Sequence, residues 1–261
     1  MVNMQLTPLS SQTEPLFWQI TRQDPLNYYF FIHDWQNHKD KTQIYLAQTP
    51  HAVAGLMLVF EGSIAQLRGT VEAVQFLLGN LSATVQDVQV PLNCEKLLLE
   101  RFPHYQLKAH VFLMALERGK EHLHFGVAPE QLSARDAGAV AGLMHLCCPQ
   151  LWSGVSAEMV AARMESAEAV WVGIKAAGEL VAFGYALLMP AVSQVTWIAT
   201  HPRHENRGYA TAVTSALVQR CLRTSPTAII YVMDDNVRAQ GIYGKVGFRP
   251  VRSYCFIKQT S

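Results

Sequence analysis

The stretch Val195-Thr196-Trp197-Ile198-Ala199-Thr200, then His201-Pro202-Arg203-His204-Glu205-Asn206-Arg207-Gly208, then Tyr209-Ala210-Thr211, decides how this chain is read. Six residues rich in β-branched and aromatic side chains predict a strand. The polar, proline-containing octet predicts a loop. From about Tyr209 to Arg223, Val213, Leu217 and Cys221 fall on one face of a helix. A strand that passes through such a loop to Gly208 and Ala210 at a helix start gathers unpaired backbone N–H groups around one point. Those donors and the helix dipole suit a phosphate or pyrophosphate. Gly208 permits close approach or a positive φ, Ala210 leaves room, and Arg203 and Arg207 add local positive charge. Isolated glycine motifs are common, so a second signal is needed.

That signal is Asn236-Val237-Arg238-Ala239-Gln240-Gly241-Ile242-Tyr243-Gly244-Lys245-Val246-Gly247-Phe248. Asn236, Ala239 and Tyr243 are spaced by three and four, so they share one helix face. A small residue between two polar ones leaves a slot for a ligand. Gly247 closes the helix and Phe248 opens the next strand.

Outward from this region the order is strand (His122 to Val127), two helices between Ser133 and Met164, and three strands (Ala169 to Ile174, Leu180 to Met189, Val195 to Thr200). Helix, strand (Ala228 to Met233), helix and strand (Val251 to Ile257) follow. The first half runs in nearly the same order. Asp24 to Phe31 opens a helix, Thr42 to Ala47 and Val53 to Phe60 form a hairpin, and Ser63 to Leu67 a strand. A helix from Gly69-Thr70 to about Leu81, a strand from Thr84 to Val90, a helix from Asn93 to Arg101 and a strand from Gln106 to Leu116 complete it. The expected organisation is two copies of one α/β unit, divided within Glu117-Arg118-Gly119-Lys120-Glu121 into 1–119 and 120–261.

Composition bounds the rest. The 261 residues are 50% hydrophobic and only 16% charged, which supplies a large core and excludes intrinsic disorder. A net charge of +1 gives no global reason to bind nucleic acid or an anionic membrane. No apolar run reaches membrane-spanning length, and the first basic residue, Arg22, comes too late for a secretory signal, so a cytoplasmic location is expected. Five cysteines without a CxxC pair indicate buried free thiols. His201 and His204 with Asp234 or Asp235 form only a lone HxxH on a loop, and no metal is expected.

The two motifs together resemble the GNAT superfamily of acyl-CoA-dependent N-acyltransferases. Glu205-Asn206-Arg207-Gly208-Tyr209-Ala210 matches its motif A, Q/R-x-x-G-x-G/A. Asn236, Ala239, Tyr243, Gly247 and Phe248 match its motif B, and the resemblance runs from about His122 to the C-terminus. The two-half layout is similar to the glycine N-acyltransferase-like branch and other tandem GNAT proteins. This implies an α/β (α+β) fold of two GNAT-like units, each a mixed, mostly antiparallel sheet flanked by helices. It also implies acetyl-CoA as co-substrate and transfer of its acetyl group to a primary amine of a small molecule or amino acid by direct attack.

The resemblance assigns Ile198, Ala199 and Thr200 to the pantetheine arm and the thioester carbonyl. Glu205, Asn206, Arg207, Gly208, Tyr209, Ala210 and Thr211 fall to the pyrophosphate, and Asn236 and Ala239 to further cofactor contacts. Tyr243 touches the cofactor and protonates the departing thiolate. Glu205 stands where the family has Gln or Arg, which implies weaker CoA binding through repulsion. No acid lies on Val195 to Thr200, and no general base is named. The first half departs from both motifs: Arg68-Gly69-Thr70 lacks the second small residue, and seven residues beyond Asn93 stands Glu100 instead of Tyr. It reads as a degenerate copy. A non-catalytic acyl-CoA-binding regulatory or scaffold protein is the alternative, and either a monomer or a homodimer fits.

Overall fold

The computed structural model describes residues 3–152 and 154–259. In the first half the elements are β1 (Gln5–Pro8), α1 (Glu14–Gln23), α2 (Tyr29–Asn37), β2 (Thr42–Gln48), β3 (Val53–Phe60), β4 (Ile64–Gly69), α3 (Val71–Gly79), β5 (Asp87–Pro91), α4 (Glu95–Arg101) and β6 (Tyr105–Glu117). The second half has β7 (Glu130–Gln131), α5 (Ala137–Cys147), α6 (Pro149–Trp152), α7 (Ala157–Met164), β8 (Ala169–Ala176), β9 (Glu179–Leu187), β10 (Ser193–Thr200), α8 (Tyr209–Thr224), β11 (Thr227–Met233), α9 (Val237–Val246) and β12 (Arg249–Gln259). From β2 to β6 and from β8 to β12 the order of strands and helices is the same. The fold is mixed α/β with mostly antiparallel sheets, as expected for two GNAT-like units.

Two compact units result: residues 1–112 with 252–261, and residues 113–251. In the first unit the strands lie in the order β1-β2-β3-β4-β5-β12-β6, and in the second β6-β11-β10-β9-β8-β7. The neighbours β4 and β5, and again β10 and β11, run parallel because a helix connects each pair. The tight turns have a local cause. Ala177 and Gly178 both take positive φ between β8 and β9, as do Glu61 and Gly62 between β3 and β4. Paired positive φ values are what the two-residue Ala177-Gly178 hairpin requires, and the three-residue Glu61-Gly62-Ser63 loop turns with the same two left-handed residues.

Each unit has its own core. In the first, Val74, Leu77, Val88, Val90 and Leu98 pack with Cys255 and Ile257 of β12, so the last strand of the chain completes the hydrophobic face of the first unit. In the second, Val140, Met144 and Val160 of α5 and α7 pack on Trp171, Phe183, Tyr185 and Ala199 of β8, β9 and β10. Among the described residues no helix is long and apolar enough to cross a membrane.

Several elements differ from expectation. His122 to Val127 forms no strand: Phe125 and Val127 are exposed, and the segment is tied by His122 N to Val246 O and by His124 N to Ser215 Oγ. The short strand there is β7, which pairs with β8 at Glu130↔Gly173. Residues 137–164 hold three helices, because Pro149 opens the separate short α6; Ser153, read as part of the break, lies outside the described residues. The helix read from Asp24 begins at Tyr29, since Asp24 to Tyr28 is a turn closed by Asn27 N and Tyr28 N on Asp24 O. The strand read from Thr84 begins at Asp87, after a turn held by Ser82. β1 and α1 had no counterpart in the sequence reading.

Candidate active site

The second unit carries its irregularities in one place. Along β9 and β10 the register runs Val195↔Ala186 and Thr196↔Tyr185, then resumes at Ala199↔Phe183. Trp197 and Ile198 therefore stand together against Gly184 alone, a β-bulge. Trp197 is held at φ 47°. For a bulky residue such a conformation costs roughly 1–3 kcal/mol and persists only where its surroundings impose it. A Cβ on Gly184 would meet Ile198, Val213 and Leu217 at 3.0 Å, so the missing side chain lets α8 press against the bulge.

On its other side β10 parts from its neighbour. The β10–β11 ladder pairs Ser193↔Ala228 and Gln194↔Ile229, and beyond these the edge of β10 carrying Val195 to Thr200 has no partner strand among the described residues. Ile198, Ala199 and Thr200 lie on this splayed edge. The Thr200 hydroxyl is buried without a partner, and so is Nδ1 of His204. Buried polar atoms are rarely left unsatisfied, which sets these two atoms, at the end of β10 and in the loop after it, apart.

The loop delivers the chain to α8 in a strained form. Asn206 takes φ 59° and Gly208 φ 79°, both left-handed. Gly208 is the N-cap of α8 and supplies no side-chain cap, and the first helical bond recorded is Ala212 N to Gly208 O. The N–H groups of Tyr209, Ala210 and Thr211 are thus left for an external acceptor. Tyr209 and Ala210 are half-buried, while Asn206, Arg207 and Gly208 are exposed.

Helix α9 stands beside this loop. Asn236 is its N-cap, its Oδ1 accepting from Ala239 N at 3.1 Å, so its side-chain oxygen is committed to the helix. Tyr243 is 8% exposed, meets Phe248 edge-on, and its hydroxyl has no protein hydrogen bond among the described residues. Burial pushes its phenol up to about 12. Gly247 ends α9 at φ 116°, where a Cβ would lie 2.5 Å from Lys120 O; only glycine fits.

The structure brings one further charged residue to the loop. Arg238 on α9 reaches across to the loop, with Nη1 2.6 Å from Glu205 Oε2 and Nη2 donating to Asn206 Oδ1 at 3.4 Å. Glu205, expected to repel a pyrophosphate, is thereby neutralised by a guanidinium. The signal available was the cation at the third position of the Asn236 motif.

The opposite face of the bulge is aromatic. Trp171 stacks on Tyr185 with ring centroids 4.3 Å apart, and Trp197 meets Tyr185 edge-on at 5.0 Å. Arg163 of α7 lies 4.7 Å over the Trp197 ring and donates to the Tyr185 hydroxyl at 3.5 Å. It has no carboxylate partner among the described residues. Cys147 donates to Thr200 O at 3.4 Å, and burial raises its pKa, which keeps it a neutral thiol.

An acyl-CoA suits these residues chemically. The unpartnered edge of β10 matches the amide groups of a pantetheine arm, and the uncapped start of α8 matches a pyrophosphate.

Residues 171–257, which span the bulge, the loop, α8 and α9, match the family model for FR47-like protein. Over nearly all its length the chain is similar in structure to a Drosophila protein solved by X-ray crystallography, with TM-score 0.70, 15% identity and 99% of either chain covered. A GCN5-related N-acetyltransferase from Sphaerobacter thermophilus aligns with TM-score 0.66 and 12% identity over 98% of this chain and 95% of that one. A tandem GNAT protein from the clavulanic acid biosynthesis pathway aligns with TM-score 0.59 and 11% identity over 98% of each. Among curated proteins none matches. At these identities the likeness is one of fold. The FR47-like segment covers the bulge and both helices, and over nearly all its length the chain shares the fold of these GNAT proteins.

Proposed function

We propose that the chain is an acyl-CoA-dependent N-acyltransferase that uses acetyl-CoA, with the cofactor site in its second half, 120–261, and a degenerate copy in 1–119. One observation carries this reading: the splayed edge of β10, kinked by a bulge, leads directly to an uncapped helix start. Acetyl-CoA when bound supplies an activated acyl thioester. Backbone groups of Ile198, Ala199 and Thr200 bind the pantetheine arm and polarise the acyl carbonyl. The N–H groups from Gly208 to Thr211 hold the pyrophosphate, assisted by Arg207, and Arg238 exchanges part of its pairing with Glu205 for phosphate. Asn206 and Asn236 fix the loop and the start of α9, and Ala239 leaves space.

Tyr243 keeps its proton at neutral pH. Full transfer from a phenol near 12 to a free thiolate near 8.5 is uphill by on the order of 5 kcal/mol, so Tyr243 serves first as a hydrogen-bond donor to the departing sulfur. The aromatic face beside Trp197 lies next to the amine. Arg163, laid over Trp197 without a carboxylate partner among the described residues, favours an amino acid over a simple amine as acceptor. The reading includes a cytoplasmic location, monomer or homodimer, with no nucleic-acid or membrane partner.

Two measurements test it together. Calorimetric titration with CoA reads binding, and a screen of amines and amino acids for thiol release from acetyl-CoA reads turnover. Tyr243→Phe is expected to leave CoA affinity within about twofold while slowing thiol release about tenfold or more. Binding without release across the screen supports a regulatory or scaffold protein instead, and unchanged turnover in the variant removes Tyr243 from the mechanism.

A further inference from the structure

Three side chains of the first unit, remote from one another in sequence, bring three different donor atoms together. Glu95 is the first residue of α4, His110 lies on β6 and Cys255 on β12. A carboxylate oxygen, an imidazole nitrogen and the thiol sulfur all lie within 4.8 Å of one another. His110 Nε2 is 3.0 Å from Glu95 Oε1. The thiol is fully buried and makes no hydrogen bond among the described residues, whereas Glu95 and His110 are partly exposed. The group therefore has a closed inner wall and an open outer side.

The donor set is selective. Sulfur, nitrogen and carboxylate oxygen together suit a borderline metal such as Zn²⁺ and not Ca²⁺ or Mg²⁺, which take oxygen. Tetrahedral zinc, with bonds of about 2.0–2.3 Å, sets its ligand atoms roughly 3.3–3.7 Å apart. The sulfur must close by about 1.5 Å at most while the Glu95 oxygen and the His110 nitrogen, 3.0 Å apart, open slightly, within reach of side-chain rotation from three fixed elements. Three protein donors leave a fourth position for water.

A protein cation already sits at this group. Lys108 Nζ is 2.8 Å from the same Glu95 oxygen that His110 approaches. Two neighbouring positive charges at a shared carboxylate repel each other, so a divalent ion and this ammonium compete for one place.

We infer that Glu95, His110 and Cys255 form a zinc-class metal site, with Lys108 as its built-in competitor. Binding forms a metal–sulfur bond, the thiol proton passes to solvent, and the Lys108 ammonium swings out to water. This site lies wholly in the first unit and is independent of the acyl-transfer reading.

The test uses the full chain, stripped of metal and titrated with Zn²⁺ against a chromogenic chelator, and with Co²⁺ followed by absorption. One equivalent is expected to bind, with a thiolate-to-cobalt charge-transfer band. Cys255→Ser removes that band. His110→Ala, a partly exposed position and so less prone to misfolding, weakens Zn²⁺ binding on the order of 100-fold. Lys108→Met tightens it about tenfold, an effect that no merely structural role of the lysine produces. Absence of a bound equivalent overturns the site. Binding unchanged by both His110→Ala and Cys255→Ser overturns it as well, and weaker binding in Lys108→Met overturns the competitor.

Discussion

The two strand–helix–strand crossovers, β4–α3–β5 and β10–α8–β11, are built alike and finished differently. In the first, the β3–β4 register runs without a break from Phe60↔Ile64 to Gly55↔Gly69; in the second, a bulge interrupts it at Trp197. Helix α3 is capped by the Thr70 hydroxyl, which accepts from Ala73 N, whereas α8 starts at Gly208 with no side-chain cap. Beyond the last pair of the β4–β5 ladder, Gln66↔Gln89, the buried Arg68 donates to both glutamines, to Leu67 O and to Asn27 O, and lies over the Tyr254 ring. The corresponding end of the β10–β11 ladder carries no such closure among the described residues. At the first crossover a buried arginine ties the end of the ladder together, while at the second the edge of β10 and the start of α8 keep backbone groups open among the described residues.

Breaking the closed crossover has the largest effect. Arg68→Ala empties a fully buried site and strands Gln66, Gln89 and two carbonyls, so urea denaturation is expected to show a loss of about 3–5 kcal/mol with CoA binding unchanged in the folded fraction. Closing the open one comes next. Ala210→Asp puts a carboxylate in the first turn of α8, where it satisfies the free N–H groups and repels phosphate. CoA affinity in calorimetry is expected to fall about 100-fold, some 2.7 kcal/mol, while the melting temperature holds or rises.

The buried phenol of the open crossover's neighbour, α9, gives a pH signature. Its folded value, about 12, lies above an unfolded value near 10, so the stability it contributes is fully present below pH 10 and lost as pH rises towards 12. Unfolding free energies from urea curves at pH 9 and pH 11.5 are expected to differ by about 2 kcal/mol more in the wild type than in Tyr243→Phe. The smallest effect is at Gly184. Gly184→Ala crowds Ile198, Val213 and Leu217 and is expected to cost about 1 kcal/mol, with a weaker grip on CoA as the bulge shifts; a denaturation curve and a titration read both.

The sequence carried the order of elements well where periodicity and punctuation are strong. The strand at Val195, the loop to Gly208, the helix from Tyr209 and the helix between Asn236 and Gly247 all stand where they were read, because caps, glycines and apolar spacing are local signals. The bulge was not legible. Nothing about Trp197-Ile198 distinguishes a two-against-one register from a regular strand, which is fixed by pairing with β9. His122 to Val127 misled for the opposite reason, since an alternating pattern without a partner makes no strand. The Glu205–Arg238 pair and the Glu95, His110 and Cys255 group join residues distant in the chain, and spacing is silent about such meetings.

The place of β12 has a consequence for how the protein is made. Cys255 pairs with Val90 and Ile257 with Val88, so the first unit is closed by a strand that follows the whole of the second in sequence. On the ribosome the earlier-synthesised half must wait, its β5 edge uncovered, until the later half has emerged. The two halves therefore mature as one cohort, and the half made first is the last to be finished.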